Sequence, residues 1–180
     1  MLNQIIFNDE KITPSKVIGI TPDTKTIYNK PNSTVTTILN ILSEDNRLKS
    51  RICFLIKDEK IAGVGLGLDL KNAGISWENA KDFENSSVFS DFVSFDGDVS
   101  KLRHELLIND ELQQESNYDL MVYKPEQMIE DIKAVMPLED GDIIMSSTPK
   151  DVSAYEECDL FTSTVYCGDD ILVEACWEAI

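Results

Sequence analysis

The sequence is poor in the residues from which metal and nucleophile sites are usually built. Its 180 residues include one histidine, His104, and four cysteines: Cys53, Cys158, Cys167 and Cys176. None of the cysteines forms a C-x-x-C pair, and their spacings match no zinc pattern. A Cys/His metal site is therefore excluded by spacing. We expect four reduced thiols in a cytoplasmic protein, with Cys53 as a core thiol inside an apolar run.

Basic residues are also scarce. The chain has 16 lysines and arginines against 33 aspartates and glutamates, which gives a formal net charge of −17. A surface this negative repels phosphate backbones and anionic lipid, so we expect neither nucleic acid nor a membrane as a partner. The acidic residues are spread along the chain, and this pattern favours a general role in solubility.

Long apolar runs are missing as well. No window approaches the length of a membrane span, and the opening "MLNQIIFNDEK" lacks the basic start and the apolar run of a signal peptide. The composition is 42% hydrophobic and 27% charged, which is ordinary for a folded globular protein. We expect one domain over residues 1–180, with residues 1–13 as an N-terminal hairpin extension.

What the sequence does contain is mostly strand signal. We predict strands or hairpins for "NQIIFNDEKI", "KVIGI", "RICFLI", "IAGVGLGLDL", "LRHELLINDELQQES", "LEDGDIIMSSTP" and the tail "DLFTSTVYCGDDILVEACWEAI". The segment "PEQMIEDIKAVM" predicts a helix, since proline suits its first position and its apolar residues share one face. Periodicity leaves "STVTTILNIL" open between strand and short helix. The pattern predicts a mixed-β, α+β fold with one main helix.

Four polar positions stand out, each with a structural alternative. His104 alternates with leucines on a strand, which favours a structural histidine over a catalytic one. Lys81 lies between Ala80 and Phe83 in "WENAKDF", where partial desolvation could aim its charge at an oxyanion. The residues alone favour a solvated surface lysine over this role. Hydroxyls and backbone N–H groups of the "SSTP" turn at residues 146–149 could bind a carboxylate, or the turn could be an ordinary strand exit.

Asp69 is the fourth position. It ends an apolar, glycine-containing strand, where an ionised carboxylate needs a metal or a cationic partner. Because Mg²⁺ takes several oxygen ligands, one aspartate alone does not make a magnesium site.

Several segments occur together in an order that resembles the fumarylacetoacetate hydrolase family. They are "KVIGI", "YNKPNS", "AGVGLGLDLKNAG", "WENAKDFENSSVFSDFV", "LRHELLINDELQQESNYDLM" and "YKPEQMIEDIKAVMPLEDGDIIMSSTPKDV". The resemblance covers roughly residues 14–175. It implies a mixed-β roll built around a small barrel, assembled as a homodimer. It also implies enzymes that use Mg²⁺ or Mn²⁺ to hydrolyse, decarboxylate or isomerise small oxo and diketo acids.

Residue by residue, the resemblance implies specific roles. Asp69 falls on a metal ligand, and Lys81 falls on the lysine that stabilises an oxyanion. Thr148 falls on the threonine of the family's G-T-P turn and is the second catalytic candidate. Lys30, Ser147 and Thr148 fall on segments that bind substrate.

The chain also departs from the family pattern. The family supplies two further metal ligands from a Glu-x-Glu, and Lys49 and Arg51 stand at those positions. The family's water-activating histidine lies in a loop for which this chain has only Thr21–Ile27, without histidine and without the lid. Ser147 replaces the glycine of G-T-P, and Ala73-Gly74 replaces an Arg-Asp pair.

These departures lead to two functional hypotheses. Lys49 and Arg51 would repel a divalent cation, and either could neutralise Asp69. We therefore expect a degenerate metal site, no cofactor, and little or no family-type activity. The alternative is a diverged hydrolase or lyase that acts on a small oxo acid through Lys81 and Thr148. Mg²⁺ or Mn²⁺ would be its cofactor if the Asp69 site were retained.

Overall fold

The structure is a computed structural model that describes residues 2–21, 24–41, 46–72, 83–147 and 154–180. Two of the predicted site residues, Lys81 and Thr148, lie outside these ranges, and so does most of the "WENAKDF" segment.

The described residues form strands joined mostly by tight turns, together with one α-helix. The strands are β1 (Ile5–Phe7), β2 (Glu10–Ile12), β3 (Lys16–Ile20), β4 (Ile27–Pro31), β5 (Val35–Thr36), β6 (Asn46–Lys57), β7 (Lys60–Asn72), β8 (Ser87–Phe89), β9 (Val93–Ser94), β10 (Leu102–Ile108), β11 (Glu111–Asn117), β12 (Ile143–Met145), β13 (Leu160–Cys167) and β14 (Asp170–Glu178). The helix α1 spans Pro125–Val135, and 3₁₀ turns cover Asn32–Thr34 and Val99–Lys101. The prediction of a strand-rich fold with one helix is confirmed.

Three sheets organise these strands. The hairpin of β1 and β2 forms the smallest sheet, and a four-stranded sheet has the order β11-β10-β13-β14. The largest sheet has the order β4-β3-β12-β6-β7-β8-β5, with β9 paired to β7. Only the β12–β3 and β5–β8 pairs are parallel among the described strands, so the fold is mixed but mainly antiparallel. Two long strands, β6 and β7, form the centre of this sheet.

The hairpin turns follow from their residues. Asn8-Asp9, Asp58-Glu59 and Asn109-Asp110 all have positive φ angles, which lie between 49° and 66°. Asn and Asp tolerate this left-handed region better than other residues with side chains, so tight two-residue turns form where the sequence places them. The hairpins predicted around residues 8–10 and 109–110 are confirmed.

The segment "STVTTILNIL" was predicted to be either a strand or a short helix. Its described part is not a continuous strand and not a helix. Its described part begins within the 3₁₀ turn, continues through the two-residue strand β5 and is irregular to residue 41. Leu39 is buried while Ile38 is 51% exposed, so neither a strand nor a helix pattern of burial is sustained.

Helix α1 covers one end of the fold. Proline occupies its first turn, and Met128 and Ile132 are buried on its inner face. At 11 residues it is far shorter than a membrane span, and no described helix is long and apolar enough to be one.

The main core lies between the two large sheets. Even-numbered residues of β6 and β7, such as Ile52, Phe54 and Leu66, pack there against Leu106 and Phe161 of the four-stranded sheet. Odd-numbered residues of β6 point to the opposite side, because side chains alternate along a strand. A second apolar cluster on that side contains Cys53, Leu55 and Phe89. The two faces of β6 therefore border two different interiors.

Candidate functional site

Three charged side chains meet on the odd-numbered side of β6. Lys30 Nζ lies 2.8 Å from Asp69 Oδ1. Arg51 Nη2 and Nε lie 3.0 Å and 3.2 Å from Asp69 Oδ2. All three residues are at most 3% exposed. The two oxygens of one buried carboxylate thus bind two different cations, and we call Lys30, Asp69 and Arg51 the charge triad.

Strand pairing brings Arg51 to Asp69. In the antiparallel β6–β7 ladder, Lys49 is opposite Asp69 and Arg51 is opposite Gly67. Directly opposite residues project to the same face, and diagonal neighbours are within reach of long side chains. Arg51 can therefore reach the carboxylate diagonally across the β6–β7 ladder. Its Nη1 also donates a hydrogen bond to the carbonyl of Ser146, which follows β12.

Lys30 reaches the triad from the far end of the sheet. Strand β4 lies at one end of the strand order and β8 lies near the other, yet Lys30 Nζ is 3.1 Å from Ser87 Oγ of β8. It is also 3.4 Å from Ser86 Oγ. The sheet must therefore curl back on itself, as expected for a β-roll. The ammonium group of Lys30 has three N–H donors, which is enough to donate to the carboxylate and to the two serine hydroxyls.

The electrostatics around Arg51 favour its ionised form. Burial opposes the charge of Arg51, but its interactions with Tyr28 and Asp69 outweigh that penalty and raise the pKa of the guanidinium. Burial also raises the pKa of Tyr28, and the nearby Asp69 charge adds to this effect. Tyr28 therefore stays a neutral phenol beside the triad.

Cys53 adds no reactive thiolate to this side. Burial is the main cause that raises the pKa of its thiol, so Cys53 remains protonated. Its Sγ fills the space beside Gly67, where a Cβ would lie 2.5 Å from the sulfur. The prediction that Cys53 is a core thiol agrees with its complete burial.

A separate polar cluster lies on the even-numbered side of β6. His104 Nε2 lies 2.8 Å from Ser50 Oγ and 3.0 Å from Ser163 Oγ. The two hydroxyls are 3.1 Å apart, and Gln114 Nε2 donates to the carbonyl of Ser50 at 2.7 Å. Burial lowers the pKa of His104 from 6.5 to about 4, so the imidazole is neutral at pH 7. This neutral cluster connects β6 to three strands of the other sheet and agrees with a structural role for His104.

Ser147, a predicted substrate-binding residue, has its hydroxyl bonded to backbone. Its Oγ accepts the N–H of Tyr123 at 2.9 Å and donates to the carbonyl of the same residue at 3.0 Å. These two bonds fix the segment before α1 against the end of β12. The hydroxyl is thus committed to holding two parts of the chain together in this conformation.

The donors around Asp69 that belong to the described residues do not by themselves fit a divalent metal. Among residues 2–21, 24–41, 46–72, 83–147 and 154–180, no group of three His, Cys, Asp or Glu side chains could hold a metal ion. Both oxygens of Asp69 are already bound by cations, and a hard divalent ion needs several free oxygen ligands. Lys49, half-buried opposite Asp69, places a third basic residue on the same face.

Comparison with known proteins identifies the fold and its relatives. The family model for the fumarylacetoacetate (FAA) hydrolase C-terminal domain matches residues 64–178. The chain belongs to the fumarylacetoacetate hydrolase family. The resemblance stated from the sequence is thereby confirmed.

Two curated relatives indicate the chemistry found in this family. A mitochondrial oxaloacetate tautomerase of Rattus norvegicus is 34% identical over 110 residues, which are 55% of this chain and 50% of the relative. A fumarylpyruvate hydrolase of Ralstonia sp is 31% identical over 106 residues, 53% of this chain and 55% of the relative. The chain therefore spans about half the length of the curated relatives it matches.

Solved structures of the fumarylacetoacetate hydrolase family share the fold over nearly the whole chain. A fumarylacetoacetate isomerase/hydrolase-type protein from Oleispira antarctica gives a TM-score of 0.90 at 21% identity, covering 99% of this chain and 100% of that chain. Fumarylpyruvate hydrolase from Pseudomonas aeruginosa, solved with Mn²⁺ and pyruvate, gives 0.82 at 16% identity, with 99% and 96% covered. At these identities the likeness establishes the β-roll fold.

Sequence reasoning identified Asp69, Arg51 and Lys49 as one group but assigned Lys30 only to substrate binding. The structure places Lys30 on Asp69, together with Ser86 and Ser87, which were not singled out. One signal was available: a lone strand aspartate needs a cation, and the lysine of "YNKPNS" was a candidate that had been assigned to substrate binding instead. The positions of Lys30 and Asp69 in the sequence do not show that the large sheet curls and brings the two residues together.

Proposed function

We propose that this protein belongs to the fumarylacetoacetate hydrolase family without that family's metal-dependent activity. The observation that carries the proposal is the binding of both Asp69 oxygens by buried cations, Lys30 and Arg51. In this reading the charge triad stands in the place of a metal centre, as the replacement of Glu-x-Glu by Lys49 and Arg51 suggests.

A divalent metal at Asp69 would have to replace the ion pairs that Asp69 makes with Lys30 and Arg51. A divalent cation near Asp69 would face the positive charges of Arg51, Lys30 and Lys49, and like charges in a low-dielectric interior repel strongly. The existing pairs also carry charge-assisted hydrogen bonds, which a metal would have to break. A metal would therefore need ligands that compensate for both losses, and the described donor set contains one carboxylate.

A second candidate function is metal-free binding or turnover of a small oxo acid. The observation in its favour is that two buried cations, Lys30 and Arg51, lie beside one carboxylate. Cations in this arrangement can stabilise the carboxylate or enolate oxygen of a ligand, and oxo acids are the substrates named for the relatives. The catalytic roles of Lys81 and Thr148 and the homodimeric state remain predictions within this candidate.

Metal binding tests the first candidate directly. Titration with Mn²⁺ and Mg²⁺ in a calorimeter is expected to give no binding by the unmodified protein, and oxaloacetate turnover is expected to be independent of either ion. The double variant Lys49→Glu/Arg51→Glu restores the family's carboxylate pair. We expect its Mn²⁺ affinity to exceed the upper limit measured for the unmodified protein by at least about tenfold, which equals roughly 1.4 kcal/mol.

Two controls make this test specific. Arg47→Glu reverses the charge of an exposed residue of the same strand and should gain no Mn²⁺ binding. Adding Asp69→Asn to the double variant should remove the gained binding. Metal-dependent turnover by the unmodified protein that is lost on Asp69→Ala contradicts the proposal.

Ligand stabilisation tests the second candidate. Oxaloacetate and pyruvate are expected to raise the unfolding temperature of the metal-free protein, because a ligand that binds only the folded state stabilises it. Lys81→Ala should remove this shift if the predicted oxyanion role is correct. Metal-free turnover that survives in Lys81→Ala and in a Thr148→Ala variant would exclude catalytic roles for these two residues.

A further inference from the structure

Strand β14 leaves one long backbone edge without a neighbouring strand in the described part of the chain. It is the terminal strand of the four-stranded sheet and pairs only with β13. The N–H of Ala179 bonds to Asp159 on the β13 side, whereas that of Ile180 bonds to Leu39 on the opposite side. Because these directions alternate along a strand, the N–H groups of Glu174, Cys176 and Glu178 point away from β13. A long free edge of this kind is a template for another strand.

A groove of about 450 Å³ runs along this edge. One side is formed by residues 172–177 of β14, and the other side by Thr37 and by residues around β8 and β9. Its apolar lining includes Phe89, Val93, Val173 and Trp177. The free edge therefore borders a mainly polar groove with some apolar lining, of which Val173 and Trp177 are 7% and 8% exposed. Peptide recognition by strand addition combines such an edge with pockets for alternate side chains.

The charges along the groove favour a positively charged bound segment. Glu174 and Glu178 are exposed on the outer face of β14, and Asp91 is exposed on the opposite bank. No lysine, arginine or histidine is among the described residues that line the groove. A strand that adds here meets carboxylates on its outer side and apolar side chains on its inner side.

A second copy of the chain is disfavoured at this edge in the two registers centred on Glu174 and Cys176. Antiparallel pairing of β14 with itself about Glu174 would place that carboxylate opposite its own copy, and pairing about Cys176 would place Glu174 opposite Glu178. Like charges directly opposite each other destabilise a strand pair. The net charge of −17 on each copy adds to the repulsion.

We propose that the β14 edge and its groove bind an extended basic peptide segment of a partner protein by strand addition. Its apolar side chains alternate with lysine or arginine, so that one set packs on Val173 and Trp177 while the other set faces Glu174 and Glu178. Backbone hydrogen bonds to the edge supply register, and the groove supplies selectivity for the alternation. This site is independent of the charge triad and of the proposed function.

Binding is measured with a fluorescein-labelled peptide, acetyl-Lys-Val-Lys-Val-Lys-Val-Lys-amide, by fluorescence anisotropy with the full chain. Saturable binding is expected, with a change in tryptophan emission because Trp177 lines the groove. Two matched peptides separate the contributions. Replacing valine by serine keeps the charge, replacing lysine by glutamate keeps the alternation, and each change should weaken binding about tenfold or more.

Protein variants locate the site. Glu174→Lys/Glu178→Lys should weaken binding about tenfold or more, while Glu115→Lys on β11, the opposite edge strand of the same sheet, should change it less than twofold. Cys176→Pro removes an outward N–H that no described residue accepts, so it should leave the unfolding temperature nearly unchanged and abolish binding. Cys176→Ser keeps that N–H and should bind normally.

Three results overturn the proposal. Equal binding of the lysine–serine peptide would mean that charge alone attracts the probe. Equal effects of Glu174→Lys/Glu178→Lys and Glu115→Lys would place binding elsewhere on the acidic surface. Sedimentation showing a dimer of the free chain that Cys176→Pro dissociates would mean that a second copy already occupies the edge.

Discussion

The two faces of strand β6 bury polar groups in opposite ways. On one face Arg51 joins Lys30 and Asp69 in a charge triad, and on the other Ser50 joins His104 and Ser163 in a neutral cluster. Both groups are almost completely excluded from water. Neighbouring residues of one strand, 50 and 51, thus belong to two sites that differ in charge.

The difference shows how each buried group is compensated. The charge triad depends on opposite charges, because an unpaired ion in the interior is costly. The neutral cluster depends on a lowered histidine pKa and on hydroxyls that can donate or accept as needed. Removing one partner should therefore have a far larger effect in the charge triad than in the neutral cluster.

The largest effect is expected for Asp69→Ala. This change leaves Lys30 and Arg51 buried without their shared carboxylate, and breaking a buried ion pair typically costs about 3–5 kcal/mol. Urea unfolding at pH 7 measures the free energy of unfolding. The triple variant Lys30→Met/Arg51→Met/Asp69→Leu removes all charges together and should recover most of the loss. A loss for Asp69→Ala of less than about 1 kcal/mol would contradict the assigned pairing.

The neutral cluster should respond to pH rather than to salt. His104 has a pKa of about 4 in the folded protein against 6.5 in an exposed histidine. As the pH falls, His104 therefore becomes protonated in the unfolded chain before it does so in the folded protein. Its contribution to the free energy of unfolding is complete above pH 6.5 and is lost as the pH falls toward 4. The difference corresponds to roughly 3 kcal/mol.

A matched variant isolates the histidine from the many titrating carboxylates. Urea unfolding of the unmodified protein and of His104→Asn is compared at pH 7 and at pH 4.5. The stability difference between the two proteins should shrink as the pH falls, because only the unmodified protein loses the histidine contribution. Parallel pH profiles would show that His104 titrates alike in the folded and unfolded chains.

The smallest effect is expected for Ser163→Ala. This change removes one hydroxyl from His104 Nε2 but leaves that of Ser50 at 2.8 Å, so the cost should be about 1 kcal/mol. Adding Ser50→Ala leaves the imidazole nitrogen without either hydroxyl and should cost more than the two single changes summed. Additive costs in urea unfolding would indicate that the hydroxyls do not share the histidine.

Much of the fold could be predicted because its signals are local. The strand "KVIGI" and the helix from Pro125 were predicted from patterns contained within each segment, and the turn at Asn109-Asp110 follows from residues that tolerate positive φ. The Arg51–Asp69 contact was also predictable. It follows from one hairpin register that the turn between β6 and β7 fixes.

The contacts of Lys30 and His104 could not be predicted in this way. Lys30 is 39 positions from Asp69 and His104 is 54 from Ser50, and no local pattern encodes which of many polar residues will meet over such separations. Ser147 likewise suggested a ligand-binding hydroxyl from its place in the "SSTP" turn, whereas in the structure it bonds to the backbone of Tyr123.

The sequence by itself determined the strand-rich pattern and the family resemblance, and it predicted bases at the positions where the resemblance implies metal-binding carboxylates. The tertiary structure decided that Arg51 and Lys30 both bind Asp69 and that His104 belongs to a different, neutral interior. The physical reason is the curl of the large sheet and its packing on the four-stranded sheet. Both bring together side chains from distant strands, and only burial in that arrangement determines which charges must be paired.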